Sequence, residues 1–486
     1  MRATKMASTL CVVALLLTSG CDSEESTPKG NTTTDVTWHE HVRPIVEANC
    51  LSCHSPGGIG PFELDTYAKA KPMAAAIGAS VASGRMPPWM PAEDCQPMTG
   101  VRRLSQDEKD AVSAWAAAGA PEGDSAKYIK PNKAQSEGLA RVDLKLELQK
   151  AYQPVKGAEG TDDYHCFILD PKLTKRAHLE GLRVIPDNKL MAHHAIVWAV
   201  DRKEVAGAES APGEGWSCYG GTGVDGDMVG GWVPGTSAMV YPKGTALRVE
   251  ANQVFVVQMH YSFAALKGAP ADKDQTKFEF QFANEPIMTV LKISSHANAN
   301  FSVPPAAKGY ETSNVIKNGT KTRVWGVIPH MHQFGTAIDV KAGEGADARC
   351  VVNIPRWDFN WQQLYIFDAD KPLILDEGTP LQLRCVYDNP TQTPLTWGED
   401  TEDEMCLNYY IYSRVSVDEL NTCIKDSCTA AHTSCVDSVS CRGAYYCAIN
   451  CEQVEGCVNP CASELTGDDK GTFNSIVQCA MDNCVD

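Results

Sequence analysis

At 486 residues the chain carries about three domains' worth of sequence, so several modules are expected rather than one compact unit. Hydrophobic residues at 43% and charged residues at 21% exclude general disorder, and a net charge of −18 argues against nucleic acid as a partner, because phosphate binding needs clustered Lys and Arg. Twenty cysteines exclude a reducing cytosol unless most of them bind metal, so export is expected.

The N-terminus reads the same way. Arg2 and Lys5 precede an apolar stretch, Leu10 to Leu17, that is too short to span a bilayer and has the form of a signal peptide over residues 1–20. Leu17-Thr18-Ser19-Gly20-Cys21 resembles the lipobox of bacterial lipoproteins, with its Leu one position further out than usual. The expectation is cleavage before Cys21, lipidation there, and a cell-envelope protein anchored by lipid and facing the periplasm or the exterior. Residues 21–35 are polar and Ser/Thr-rich, as a tether should be.

Residues 36–122 read as a small helical module. Thr37 and Glu40 have capping-box spacing, and Val42, Ile45, Val46 and Asn49 follow on one face. His39 and His41 diverge on a helix and are read as surface residues. Cys50-Leu51-Ser52-Cys53-His54 is then a CxxCH pattern, in which two thiols bond covalently to a haem and the histidine takes an axial site on its iron. Ser105 with Glu108 forms a second capping box, opening a helix with Val112, Trp115 and Ala116 that stops near Gly119. Together these features resemble a class I c-type cytochrome. That resemblance implies a methionine as the sixth ligand, with Met86 chosen from Gly84-Arg85-Met86-Pro87-Pro88-Trp89 and Met90 as runner-up.

After a Gly/Pro/Lys/Ser-rich linker (123–141), short β-rich runs separated by Gly and Pro turns have the texture of β-sandwiches. The segment 252–263 alternates clearly, with Phe255, Val257, Met259 and Tyr261 on one face and Gln258, His260 and Ser262 on the other. His193-His194 forms a second imidazole cluster. His330-Met331-His332 forms a third, whose i and i+2 side chains on one strand face are able to share a metal. Imidazole suits copper, zinc or iron, and thioether sulfur favours Cu(I), so Met405 in Asp403-Glu404-Met405-Cys406-Leu407 becomes a candidate ligand.

In this order, with gaps of roughly 65 to 75 residues, His193-His194, the Gln258-Met259-His260-Tyr261 strand, His330/His332 and Met405-Cys406 closely resemble the copper type II, ascorbate-dependent monooxygenases, over about residues 142–420. Gly231-Trp232-Val233-Pro234-Gly235 and Tyr241-Pro242-Lys243-Gly244 resemble that family's segment between its first two ligand sites. The resemblance implies two jelly-roll-like sandwiches, 142–282 and 283–420, sharing a cleft. In it, His193, His194 and His260 would hold an electron-storage copper, and His330, His332 and Met405 the copper that meets O2. It further implies Cys166–Cys218 and Cys385–Cys406 disulfides and Tyr409 as a substrate contact. Ile328 stands where the peptide-amidating branch has an Arg, and Leu407 where it has an Asn, which disfavours a peptidylglycine substrate.

Residues 421–486 hold ten cysteines between Cys423 and Cys484, an even count expected to staple a small helical unit. The expected architecture is therefore multidomain: an all-α cytochrome c module, two all-β sandwiches and a helical disulfide-rich tail. The expected function is hydroxylation of a C–H bond of an organic substrate with O2, using two copper ions and one haem c. Ascorbate or a respiratory donor would be the reductant, with the membrane contacted through the lipid. A copper- and haem-binding electron-transfer or surface protein without hydroxylase activity is the alternative the residues leave open.

Overall fold

The computed structural model of the protein describes residues 36–483 apart from 57–59, 132–137, 157–161, 208–212, 220, 235, 237, 264–265, 267, 269, 285–286, 288 and 451–457. The signal, tether and Cys21, like Gly235, Cys451, Cys457 and Cys484, lie outside the described residues. No helix among the described residues is long and apolar enough to cross a membrane.

In the N-terminal module, a π-type turn (Trp38–Val42) runs into α1 (Arg43–Asn49) and is followed by α2 (Tyr67–Ala70), α3 (Ala74–Ala82) and α4 (Gln106–Ala117). Trp38, Val42, Val46, Ile77, Val81, Val112 and Trp115 form its core. Helices α3 and α4 pack closely because Gly78 has no side chain: a Cβ there would lie 2.9 Å from the Ala116 Cβ. The two expected capping boxes fare differently. Ser105 and Glu108 cap α4 reciprocally, whereas Thr37 makes no side-chain cap and Glu40 instead pairs with Lys127. The Thr37 N–H donates to His41 Nδ1 at 3.2 Å, and His39 lies 3.5 Å from Glu122, so neither histidine is a bare surface residue as expected. Part of the expected linker also belongs to this module: Tyr128 donates to Glu47 and lies under the Arg43 guanidinium.

The β-rich body begins with β1 (Leu144–Glu147), β2 (Asp162–Leu169), β3 (Ala177–Ile185), β4 (Ala192–Asp201), β5 (Trp216–Ser217), β6 (Gly226–Trp232), β7 (Met239–Val240), β8 (Thr245–Val249), β9 (Gln253–Ser262) and β10 (Lys277–Phe282). It continues with β11 (Thr289–Ala297), β12 (Ser302–Val303), β13 (Tyr310–Lys317), β14 (Thr322–His330), β15 (Gly335–Ala342), β16 (Arg349–Ile354), β17 (Tyr365–Ile366), β18 (Leu373–Leu375), β19 (Pro380–Tyr387), β20 (Leu395–Thr396) and β21 (Leu407–Arg414). A five-stranded sheet, β5-β2-β9-β4-β6, covers the first half, and a four-stranded sheet, β13-β19-β15-β16, covers the second. Both lie on one long sheet, β1-β10-β3-β8-β11-β21-β14-β17. Two separate sandwiches were expected, but parallel pairing of β8 with β11 (Thr289↔Thr245) makes one sheet continuous through both. The alternation in β9 sends Phe255, Val257, Met259 and Tyr261 into the first core, where Phe255 stacks on Phe280 of the facing sheet at 4.5 Å.

A strap from the helical module, residues 89–99, lies on the second half. Trp89, Met90 and Met98 pack into its core, the Ala92 N–H reaches Asn353 O at 2.7 Å and the Thr99 N–H reaches Ile366 O at 2.8 Å. Cys95 and Cys350, unassigned from sequence, form a disulfide that pins the strap.

Helices α5 (Val415–Ser427), α6 (Thr429–Asp437), α7 (Val439–Ile449), α8 (Val458–Cys461) and α9 (Gly467–Asn483) form the tail, beginning directly at the end of β21. Disulfides Cys428–Cys479, Cys435–Cys441 and Cys447–Cys461 staple a core that includes Tyr445, Phe473 and Ile476.

Candidate metal centre

Adjacent residues on a strand normally face opposite sides, so His193 and His194 need a local irregularity to act together. The β4–β9 register supplies it: Ala192 pairs with Tyr261 and His194 with His260, leaving His193 as a bulged extra residue. The result brings three ring nitrogens together. His193 Nδ1 is 3.1 Å and His194 Nδ1 3.2 Å from His260 Nδ1, and the three ligand atoms lie within 4.8 Å of one another. Burial, and then the neighbouring His260, push His193 down to about 3 and His194 well below the usual imidazole range, so the rings stay neutral with lone pairs to offer. Three converging ring nitrogens suit a cation.

His260 turns its other nitrogen to Asp162. Its Nε2 lies 3.3 Å from Asp162 Oδ2, within ion-pair range but short of hydrogen-bond geometry. Burial pushes the Asp162 carboxyl up, but His260 and the Thr401 N–H more than offset this and hold it below the usual carboxylate range. Tyr164 stacks on His260 at 4.1 Å and donates to the Glu399 carbonyl. Two bonds thus join β2 of the first half to the 399–401 loop of the second.

The second set sits at a strand end. His330 closes β14 and His332 follows in the turn, with ring centroids 5.2 Å apart and planes at 90°. Here the Nδ1 atoms are already engaged, His330 with Gln362 Oε1 and His332 with Asp403 O at 3.1 Å, so the Nε2 atoms remain for a ligand. Burial pushes His330 down to about 4 and His332 to about 3. Met405 is buried on the loop before β21. The fully buried Glu404 carboxylate accepts from the N–H groups of His332 (3.0 Å), Phe334 (2.6 Å) and Met405 (3.2 Å), tying the histidine turn to the methionine. Tyr387 donates to Met405 O at 2.8 Å, and the Cys385–Cys406 disulfide braces the next residue. Cys166–Cys218 is likewise formed, beside Gln258, whose Nε2 donates to Cys218 O.

Both sets meet one cavity of about 610 Å3, lined by His194 on one side and by His330, His332 and Met405 on the other, with Tyr409, Leu407 and Ile328 among its walls. Phe359 stands between them, stacked on His193 at 4.9 Å and edge-on to His332 at 5.9 Å. Asp162, Gln362 and Phe359 had no local signal in the sequence. Glu404 stood in the Asp403-Glu404-Met405 motif, but nothing in that motif announced its backbone partners.

In the helical module, Cys50 and Cys53 carry thiols, and burial together with Cys53 pushes the Cys50 thiol up to about 12. His54 Nδ1 lies 2.8 Å from Phe62 O, which leaves Nε2 as the nitrogen available to a ligand, and Gly60 packs so closely that a Cβ on it would lie 2.6 Å from the His54 ring. This set fits a covalently held haem. Met86 is half-buried just after α3, its N–H on Ser80 O at 3.1 Å. Met90 is committed elsewhere: its sulfur accepts the Asp358 N–H at 3.2 Å inside the second half.

Two histidine sets meeting one cavity, one of them accompanied by a thioether, are donors of a kind that suits copper. Residues 288–435 match the family model of the copper type II ascorbate-dependent monooxygenase C-terminal domain, a stretch that holds His330, His332 and Met405. The match supports that family, and with it a copper oxidoreductase. Among solved structures, similarity extends to the major capsid protein P2 from bacteriophage PM2 (8% identity, 56% of this chain and 97% of that one, TM-score 0.27) and the STIV MCP (8%, 56% and 96%, 0.25). Allantoicase is also matched (12% identity, 54% of this chain and 81% of that one, TM-score 0.16). Likenesses this weak bear on neither fold nor function.

Proposed function

We propose that the protein is a copper-dependent monooxygenase that hydroxylates a C–H bond of an organic substrate with O2, drawing electrons through its own haem c module, with ascorbate or a respiratory donor as the source. One observation carries this reading: two imidazole sets offer opposite ring nitrogens to one cavity, and the set with Nε2 free is the one accompanied by Met405. His193, His194 and His260 would hold one copper and His330, His332 and Met405 the other, the thioether favouring Cu(I). Copper at these positions would supply O2 activation, with one oxygen atom entering the substrate and the other leaving as water at the expense of two electrons and two protons.

The chain's own residues do the positioning. Asp162 faces the His260 ring at ion-pair distance, and hydrogen bonds to Gln362 and the Asp403 carbonyl orient the two second-set rings. Trp232, Ile328, Leu407 and Tyr409 shape an apolar wall that holds a substrate body and excludes water. Cys50, Cys53 and His54 would hold the haem, whose chemistry is electron delivery. Met86 is its proposed second axial ligand, since Met90 is engaged with Asp358. We place the protein in the bacterial cell envelope, lipid-anchored at Cys21, and the described disulfides are compatible with an oxidising compartment.

The deciding measurement is metal content and optical spectrum of periplasmically matured protein, native against Met405→Ala. About two coppers and one haem c in the native protein, with one copper or its O2 reactivity lost in the variant, supports the reading. Haem without copper would reduce the protein to electron transfer or binding.

A further inference from the structure

The cavity between the two ligand sets has one feature that the oxygenase reading does not use. Its walls are mainly apolar and aromatic, including Trp232, Met239, Ile328, Trp397 and Leu407. Among the described residues lining it, Arg102 is the single guanidinium or ammonium side chain. Arg102 makes no hydrogen bond or ion pair within the described structure. Its neighbour Arg103 is fully employed, on Glu93 at 2.5 Å and on the Pro91 carbonyl. Half-buried at the edge of an apolar cavity, its guanidinium has five N–H donors in a fixed fork to offer an anionic ligand.

Arg102 is also held in place. It follows the strap that the Cys95–Cys350 disulfide and the Ala92–Asn353 and Thr99–Ile366 hydrogen bonds fasten to the second half. Thr99 beside Ile366, and Gln363 with its Nε2 3.5 Å from the Tyr365 hydroxyl, line the same cavity around the short strand β17, and Arg102 acts electrostatically on Tyr365. The acidic lining residue, Glu399, does not balance it: burial and the nearby Asp403 and Asp400 push that carboxyl up, which disfavours its charged form. The position two residues before His330 is the apolar Ile328, so the histidine-bearing strand contributes no cation there.

We infer that the cavity takes an amphipathic carboxylate, an apolar body of about ring size with one anionic end, and that Arg102 of the N-terminal module receives the carboxylate. A guanidinium matches a carboxylate with two parallel N–H···O bonds, and about 610 Å3 accommodates a ring with a short chain. The N-terminal module is then part of the specificity apparatus as well as a redox unit. This inference deepens the oxygenase reading and rests on its assignment of the cavity.

The test is isothermal titration calorimetry on the full chain, copper-loaded and after chelation, with 4-phenylbutyrate, 4-phenylbutanol and 4-phenylbutylamine as probes of equal shape. The acid should bind about tenfold or more tightly than the alcohol or the amine, as expected for a charge-assisted bidentate contact. Arg102→Gln should remove that advantage while leaving the alcohol unchanged, which also shows the variant to be folded, and Arg102→Lys should restore only part of it. Preference for the amine, or an acid affinity indifferent to Arg102→Gln, overturns the inference. Copper content of the same preparation separates the two claims. Arg102-dependent acid binding without copper would defeat the oxygenase reading alone, and copper without acid preference would defeat this one alone.

Discussion

His193, His194 and His260 are held inside a sheet, whereas His330, His332 and Met405 are held at a strand end and on a loop. In the first set a bulge and the β4–β9 register fix the geometry, with the buried Asp162 carboxylate at ion-pair distance from His260 and Tyr164 stacked on its ring. In the second, an amide, a backbone carbonyl and a carboxylate bonded only to backbone N–H groups do the work. A site fixed by sheet register resists rearrangement, while one built from a turn and a loop can change its ligand distances at lower cost. Under the proposed function, electron storage would fall to the rigid site and the encounter with O2 and substrate to the other.

Substitution can break the comparison at its strongest point first. Met405→Ala and His260→Ala should each lose one copper and spare the other, with O2 turnover falling more than about 100-fold, since loss of a mere orienting partner already costs 10–100-fold. Metal analysis and electron paramagnetic resonance on the two variants would check this, and loss of both coppers in either would mean that the sets are not independent. Glu404→Ala should be the most damaging change to stability at the site. It leaves the buried N–H groups of His332, Phe334 and Met405 without an acceptor, at about 3 kcal/mol or more in urea unfolding, and Glu404→Gln should recover part of the loss.

Subtler changes sharpen the contrast. Asp162→Asn should weaken copper at the first set by about 10–100-fold and leave the second untouched, and Gln362→Leu should do the reverse; competitive chelator titrations read both. The smallest effect lies in the helical module. Ser105→Ala should cost about 1 kcal/mol in thermal unfolding because its cap is formed, while Thr37→Ala, whose hydroxyl caps nothing, should cost close to nothing.

That last pair shows how far local reading extends. Ser105-Glu108 and Thr37-Glu40 have identical spacing, yet only one box forms, because His41 takes the Thr37 N–H and Lys127 takes Glu40. The histidine pairs, CxxCH and Met405 were legible because their chemistry demands particular residue types at short spacing. Cys95–Cys350 was not, since its partners are 255 residues apart and neither has a motif.

By itself the sequence determined the donor atoms: which imidazoles, which thioether and which thiols the chain can offer, since ligand chemistry belongs to residue type and near-neighbour spacing. Only the tertiary structure decided how they meet. The bulge at His193, the Asp162 and Gln362 partners, Phe359 between the two sets, the sheet continuous through both halves and Arg102 arriving on a strap from another module all depend on contacts between distant segments. Those contacts are set by the packing of whole cores, and no local pattern encodes them.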